Sequence, residues 1–502
     1  MEYYTTFFLF LSFLLTFIYA LKNFGRRNSR LPPGPYPLPI IGNLLEIGNK
    51  PHRSLAALSK RYGSLMSLML GSKTTIVVSS PDITKEFFLT NDQSFSGRVI
   101  TEFTRSVDHY KFSLVFSQTG DQWRRLRRIT NEYLLSMKCL NDSELIRRKK
   151  VQELLEHVNR CSLEQKAVNI GSTVFTTVLN ILSTLIFSSD FSQYDSVSSQ
   201  EFKELVWALM KYGGKANLAD FFPILKPWDP QGIARQGSIH MQKILTIFDK
   251  LINQRLQTRS TLSSYGDVSS TCNDVLDLLL NLKQKDDSEF SQNHLGHLLV
   301  DLFVAGTDTT STNVEWAMAE LIRNPDKMAT ARSELAKLMQ YNNRGIEEQD
   351  IDQLPYLGAI IKETFRLHPP VPLLVPHEAI DDVEVHGFIV PKNAQIFCNL
   401  WAMGRDPNIW SDPEKFIPER FLEVEIDYKG RYFDLIPFGT GRRICPGLNI
   451  AHRMLHMTLG SLIHKFDWKL EGDMRAQDMD MGEKFGLTLQ KDVPLMAIPI
   501  KL

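Results

Sequence analysis

The chain is poor in cysteine, has no net charge and lacks the glycine patterns that hold phosphates. Only five cysteines occur in 502 residues. Cys139, Cys161, Cys272, Cys398 and Cys445 form no CxxC pair and no zinc-finger spacing, which excludes a disulfide scaffold and a zinc ribbon. The odd count fits a reducing compartment, where each thiol is buried or reactive. Lys plus Arg number 57 and Asp plus Glu number 57. That balance excludes a surface wholly devoted to nucleic acid, and no nucleic-acid partner is expected. No GxGxxG, GxxxxGK[ST] or GxSxG occurs, so there is no nucleotide-phosphate cradle and no hydrolase elbow. Charged residues are 23% against 43% hydrophobic, which rules out a largely disordered chain. At this length a large core can be buried.

Charge is also missing from residues 3–21, a run that includes Phe7, Phe8, Leu9, Phe10, Phe13 and Phe17. As a helix these residues span about 28 Å, close to the hydrocarbon thickness of a bilayer. A cleaved signal peptide is the competing reading. It calls for a basic start and a small-residue cleavage site, whereas here Glu2 comes first and Lys22, Arg26, Arg27 and Arg30 follow. The positive-inside rule keeps those basic residues in the cytosol. We therefore expect a transmembrane anchor over residues 3–21, a basic and proline-rich linker over residues 22–39, and one domain over residues 40–502. Leu31-Pro32-Pro33-Gly34-Pro35-Tyr36-Pro37 reads as a stiff spacer or, alternatively, as a proline-rich ligand.

In the body, apolar residues at spacings of three and four predict helices over 144–158, 201–212, 241–256 and 315–338. Shorter runs predict strands at 65–70, 75–79, 383–385 and 396–399. The Ser-rich stretch 258–271 reads as a loop. No internal repeat or second linker divides the body. The expectation is a mainly α fold with small β-sheets, as a single large domain.

The richest segment is Phe438-Gly439-Thr440-Gly441-Arg442-Arg443-Ile444-Cys445-Pro446-Gly447. Its glycines allow a tight turn around the thiol. Backbone amides, the arginines and the N-terminus of a predicted helix over 448–464 all favour thiolate. Alone, one cysteine reads as a small buried hydrophobe. The segment, however, fills FxxGxRxCxG at every position, and so resembles the haem-binding loop of the cytochrome P-450 monooxygenases. The resemblance extends from the anchor to the C-terminus. It implies the cytochrome P-450 fold, haem b with Cys445 as axial iron ligand, and Phe438 and Arg443 beside the haem.

Other stretches fit the same family. Glu363 and Arg366 form ExxR on one helical face, alone readable as an ordinary surface pair. Arg420 sits in Pro418-Glu419-Arg420-Phe421. The resemblance gives Glu363, Arg366 and Arg420 a structural role. Trp123 and Arg127 resemble WxxxR, whose members reach a haem propionate. His377 stands where many relatives carry arginine, a departure that still leaves a hydrogen-bond donor.

Ala305-Gly306-Thr307-Asp308-Thr309-Thr310 lies in a long apolar helical stretch. Gly306 and the polar residues predict a local distortion, with hydroxyls bonded back to carbonyls as the alternative. By resemblance Asp308 and Thr309 deliver protons during O2 cleavage. The electrons come from NADPH, and with no dinucleotide fingerprint a partner must carry them. The resemblance points to NADPH-cytochrome P-450 reductase, with Arg124, Arg125, Arg128 and Arg442 as a docking patch or as merely solvated charges. It also implies the endoplasmic reticulum membrane, single-pass, with a cytosolic catalytic domain.

Family substrate regions map onto Phe112, Leu114, Val304, Ala305, Val371, Leu373, Leu374 and Leu487. This apolar wall suits a lipophilic substrate. Phe95-Ser96-Gly97-Arg98, Arg405-Asp406-Pro407 and the stretch 483–491 are similar to a plant branch that includes geraniol 8-hydroxylases and related terpenoid oxidases. The implied reaction is hydroxylation of a terpenoid or prenyl-derived compound, such as a monoterpene alcohol or prenylated quinol. The alternatives are a phenolic or alkaloid substrate, a reductase-independent haem-thiolate isomerase or dehydratase, and a non-catalytic haem-binding scaffold. His452 and His456, at i and i+4 without an HExxH glutamate, read as a helical surface pair rather than a zinc site.

Overall fold

The computed structural model describes residues 2–26, 30–194, 197–264, 274–285, 290–339 and 345–502. The apolar N-terminal run is one helix, α1 (Glu2–Arg26). Phe8, Leu9, Phe10 and Phe13 on it are 65–72% exposed, so these side chains are not packed against the body.

The proline-rich stretch is not a free spacer. Ser67 Oγ donates to Pro32 O at 2.6 Å and the Ser67 N–H to Pro33 O at 2.9 Å, laying the stretch against a strand of the body. Gly34 is required there, because a Cβ would sit 1.9 Å from Ser67 O. Residues 32–34 are thus held on the body by β1.

After α2 (Pro51–Tyr62) comes a hairpin of β1 (Leu65–Leu70) and β2 (Lys73–Val78), paired from Leu65 with Val78 to Leu70 with Lys73. Then follow β3 (Gly97–Arg98), α3 (Asp121–Ile129), α4 (Glu144–Leu163), β4 (Val168–Asn169), α5 (Ile170–Phe187), α6 (Val197–Gly214) and α7 (Ile233–Ser264). Next are α8 (Gln292–Arg323), α9 (Pro325–Met339), α10 (Pro355–Leu367), β5 (His377–Glu378), β6 (Val383–Val385), β7 (Phe388–Val390) and β8 (Gln395–Cys398). The chain ends with α11 (Leu448–Lys465), β9 (Phe466–Leu470), β10 (Glu483–Phe485), β11 (Leu489–Lys491) and β12 (Met496–Lys501). The main sheet has the order β1-β2-β8-β5-β3, with β2 and β8 parallel; β4-β12-β9 form a second sheet. The architecture is the expected one, mainly helical with small sheets.

At 1.5 Å per residue α8 is about 48 Å long and packs most extensively along α5. The described apolar part of α1, Tyr3–Ile18, is somewhat shorter than a membrane span; α5 matches one by length and composition, yet 83% of its residues are buried. It is a core helix, apolar all round because neighbours surround it. The helix predicted over 315–338 is two helices. Pro325 opens α9, and Asn324 before it is pushed to φ −121°, ψ 75°, since proline disfavours the α region in the preceding residue. The predicted loop 258–271 is helical through Ser264; its remainder, with Cys272, lies outside the described residues.

Candidate active site around Cys445

Ahead of α11 the chain folds back on itself. Gly439 and Gly441 take φ of 70° and 65°, a region that favours glycine. A Cβ on Gly441 would lie 2.6 Å from Phe88 O, so the close approach also demands glycine. The Cys445 N–H donates to Phe438 O at 2.9 Å, and the Gly447 N–H points at the sulfur. Burial raises the Cys445 thiol above its ordinary pKa, against the opposing pull of the Gly447 N–H and Arg127. These donors alone do not generate thiolate. A cation bound directly to the sulfur does.

Cys445 borders a cavity of ≈310 Å³, whose opposite wall is α8. Of the predicted wall residues, Leu114, Val304, Ala305, Val371, Leu374 and Leu487 line it. Phe112 and Leu373 do not. The Phe112 ring stacks on His297, centroids 5.3 Å apart, and Leu373 packs in the core beneath β1 and β2. Leu374 is held at φ 54°, a strained conformation for a branched residue.

Three guanidiniums cluster at this cavity: Arg98, Arg127 and Arg443. Burial lowers the pKa of all three; mutual repulsion adds to this at Arg98 and Arg443, and Arg443 falls to about 9. Arg98 donates to Val375 O at 2.6 Å and Val115 O at 3.2 Å, and Arg443 to Ser117 O at 2.6 Å and Ser96 O at 3.1 Å. Among the described residues none of the three has a carboxylate partner. A buried, unneutralised positive cluster is costly, and a ligand carrying carboxylates relieves it. A sulfur at the cavity wall in want of a cation, carboxylate-seeking arginines and an apolar wall between them fit an iron porphyrin.

The remaining haem-side predictions resolve individually. Trp123 borders the cavity, but its indole N–H donates to Leu114 O at 3.1 Å and its ring carries the Arg443 guanidinium at 4.6 Å. In this structure the indole thus holds the Arg443 guanidinium at the cavity edge. His377 Nδ1–H donates to Phe95 O at 2.7 Å. Burial and Arg98 keep the ring neutral, so Nε2 presents a lone pair rather than the expected donor. Phe438 borders the cavity and packs edge-on against Phe365.

ExxR is no surface pair. Glu363 and Arg366 have fully buried side chains joined by bonds of 2.7 and 2.8 Å, and Arg420 Nε adds a third at 3.2 Å. The Ile417 N–H also donates to Glu363 at 2.7 Å. Removing one partner from such a buried network costs about 3–5 kcal/mol. The network ties α10 to the 411–420 segment.

On α8 the predicted distortion is absent: the helix is unbroken, and Thr307 and Thr309 bond back to Phe303 O and Ala305 O at 2.7 Å. Thr309 borders the cavity. Asp308 does not; fully buried, it accepts from Thr488 and Gln490. His456 is likewise buried, not superficial, with Nδ1–H donating to His452 O at 2.7 Å. Of the arginines expected to dock a partner, Arg124 pairs with Asp121 at 3.1 Å and Arg442 with Asp92 at 2.6 Å, while Arg128 is exposed.

Sequence reasoning missed Arg98, His109, Asp301, Asn313 and Thr488 as cavity residues. Asp301 had a signal, a carboxylate inside an apolar helical run. Thr488 lies in the stretch 485–489 that the family resemblance maps to a substrate region, whereas Arg98 is brought in by strand pairing.

Comparisons with known proteins identify the family of the chain. The chain matches the cytochrome P450 family over residues 32–496. It is 53% identical to "Cytochrome P450 76T24" of Catharanthus roseus over 97% of this chain and 96% of that one. It is 48% identical to "Geraniol 8-hydroxylase" of the same plant over 99% and 100%, and 44% identical to "Ferruginol synthase" of Salvia miltiorrhiza over 95% of each. The expected likeness to the plant geraniol 8-hydroxylase and terpenoid-oxidising branch is thereby borne out. The chain belongs to the cytochrome P450 family: it is a haem-thiolate monooxygenase, using O2 and electrons passed from NADPH by a reductase.

Proposed function

We propose that the enzyme hydroxylates a terpenoid or prenyl-derived plant metabolite, such as a monoterpene alcohol or a prenylated quinol. The observation that carries this reading is the cavity between Cys445 and α8, apolar along Leu114, Val304, Ala305, Val371, Leu374 and Leu487. Relatives named for geraniol 8-hydroxylation and ferruginol synthesis support the substrate class.

Cys445 is the sulfur ligand of the haem, and Arg98, Arg127 and Arg443 receive its carboxylates. His377 abuts them and donates only if doubly protonated. When bound, the haem activates O2 for insertion of one oxygen atom into a C–H bond, the other leaving as water; the thiolate favours this cleavage. The chain's residues do the rest. Val304 and Ala305 hold an apolar substrate against α8 and exclude water. Thr309 Oγ presents a hydroxyl to the cavity, and Asp308 holds the proton to be delivered. Glu363, Arg366 and Arg420 keep the loop carrying Cys445 in place. Arg128, with Arg124, Arg125 and Arg442, receives an acidic reductase surface. Helix α1 sits in the endoplasmic reticulum membrane, with the body in the cytosol.

His109 and Asp301 add one polar spot to the wall, 3.3 Å apart. That spot favours a second reading, oxidation of a phenolic or alkaloid substrate through its hydroxyl or amine. Reconstitution with reductase and NADPH against terpenoid alcohols, diterpenes, phenols and alkaloids decides between them. Turnover of terpenoids supports the first reading; turnover confined to phenols or amines supports the second. Product formed without NADPH would overturn both in favour of an isomerase.

A further inference from the structure

We propose that Thr488 is the residue through which Asp308 exchanges a proton with the substrate cavity. This rests on the proton-holding role given to Asp308 above.

Asp308 and Thr309 are neighbours in sequence but not in chemistry. Successive helical residues point about 100° apart. Thr309 Oγ faces the cavity with its hydrogen on Ala305 O, whereas the Asp308 carboxylate lies behind α8 and does not border the cavity. No hydrogen bond joins the two side chains among the described residues. Asp308 accepts instead from Thr488 Oγ1 at 2.5 Å and Gln490 Nε2 at 2.7 Å, and from the Trp207 indole. Of these three donors only Thr488 borders the cavity.

The hydroxyl is also well held. Thr488 lies in the turn between β10 and β11. The Leu487 N–H donates to Met210 O at 3.0 Å, the Leu489 N–H to Pro370 O at 2.8 Å and the Gly486 N–H to Thr488 O at 3.0 Å. The Trp316 indole adds a bond to Leu489 O at 3.0 Å. Thus α6, α8 and the segment after α10 pin the turn from three sides.

The chemistry requires such a link. Monooxygenation takes RH, O2, two protons and two electrons to ROH and water. Burial favours the protonated carboxyl at Asp308, against the Thr488, Gln490 and Trp207 donors and the Lys203 ammonium on α6, which favour the carboxylate. Protonated, Asp308 turns donor, and Thr488 Oγ accepts from it while offering its own hydrogen to the cavity. As the Thr488 O–H bond breaks toward an acceptor there, the Asp308 O–H bond breaks and remakes it. The carboxylate left behind, itself shut off from solvent, regains its proton by way of the polar groups packed against it, Lys203 among them.

The test uses the full-length, reductase-reconstituted holoenzyme with the best substrate of the panel above. Thr488→Val removes the hydroxyl at constant shape, and Thr488→Ser keeps it. We expect Thr488→Val to cut product per NADPH by about tenfold, the difference appearing as peroxide. That is less than the roughly 10²-fold of a positioned acid, because a cavity water can partly replace the hydroxyl. Thr488→Ser restores coupling. In the resting protein, the infrared carboxyl band lost in Asp308→Asn shifts in Thr488→Val and returns in Thr488→Ser. Undiminished coupling in Thr488→Val beside uncoupled Asp308→Asn would overturn the relay and leave the Asp308 role standing. Failure of serine to rescue would overturn it as an effect of shape. Full coupling in both Asp308→Asn and Thr309→Ala would remove the underlying reading and the relay with it.

Discussion

Cys445 is a thiol whose surroundings, taken alone, disfavour its charge. Burial outweighs the Gly447 N–H and Arg127, so a cation on the sulfur, as proposed for the haem iron, would complete the electrostatics of the site. Replacing Cys445 by Ala is expected to abolish the red-shifted Soret band of the reduced carbon monoxide complex; its persistence in a spectrum of the variant would remove the ligand assignment. Residues of this kind were readable because the motif holds them in one short segment: Phe438, Arg443 and Cys445 all border the cavity. Arg98 was not readable as a site residue. It reaches the cavity only because β3 pairs with β5, setting Arg98 opposite His377. His377 was located by resemblance, but the hydrogen on Nδ1 was decided by a carbonyl far away in sequence, Phe95 O.

Among the elements, local rules set the long helices well where their signals are local. Helix α4 begins at Glu144 as its apolar spacing requires, and α11 spans nearly the residues expected. The split between α8 and α9 is also local, a proline effect at Asn324–Pro325 that a purely periodic reading passed over. Contacts between elements are another matter. Glu483 on β10 accepts from His52 at 3.1 Å and Arg53 at 2.7 Å on α2, and from Trp401 at 2.9 Å. Burial alone would raise its pKa, yet those donors and the Arg53 charge hold it well below the usual carboxylate range. A carboxylate depressed in the folded state adds stability above its unfolded pKa of about 4.3. That stability is lost as pH falls from there toward the folded value. Glu483→Gln should therefore lower the urea midpoint at pH 7 and flatten the loss of stability below pH about 4.3. A variant with the same acid dependence as the parent would show that another group sets it.

For the whole molecule, the decisive contrast is between two apolar helices. Both α1 and α5 are apolar runs, but α5 is 83% buried while Phe8 and Phe13 on α1 are 66% and 69% exposed. Removing residues 1–29 is expected to move the protein from vesicles to the soluble fraction in a flotation assay with the carbon monoxide spectrum intact. Retention on vesicles would place the membrane contact on the body instead. The amino-acid sequence by itself determined the fold class, the glycine-rich segment around Cys445, the ExxR and PERF residues and the exposed apolar helix. Each rests on residues a few positions apart, where backbone geometry fixes the relation. Tertiary structure alone decided which side of α8 Asp308 serves, which arginines lack a counter-ion and which apolar residues face the cavity rather than the core. Those depend on packing between segments as distant as Asp308 and Thr488, a relation that neither periodicity nor spacing encodes.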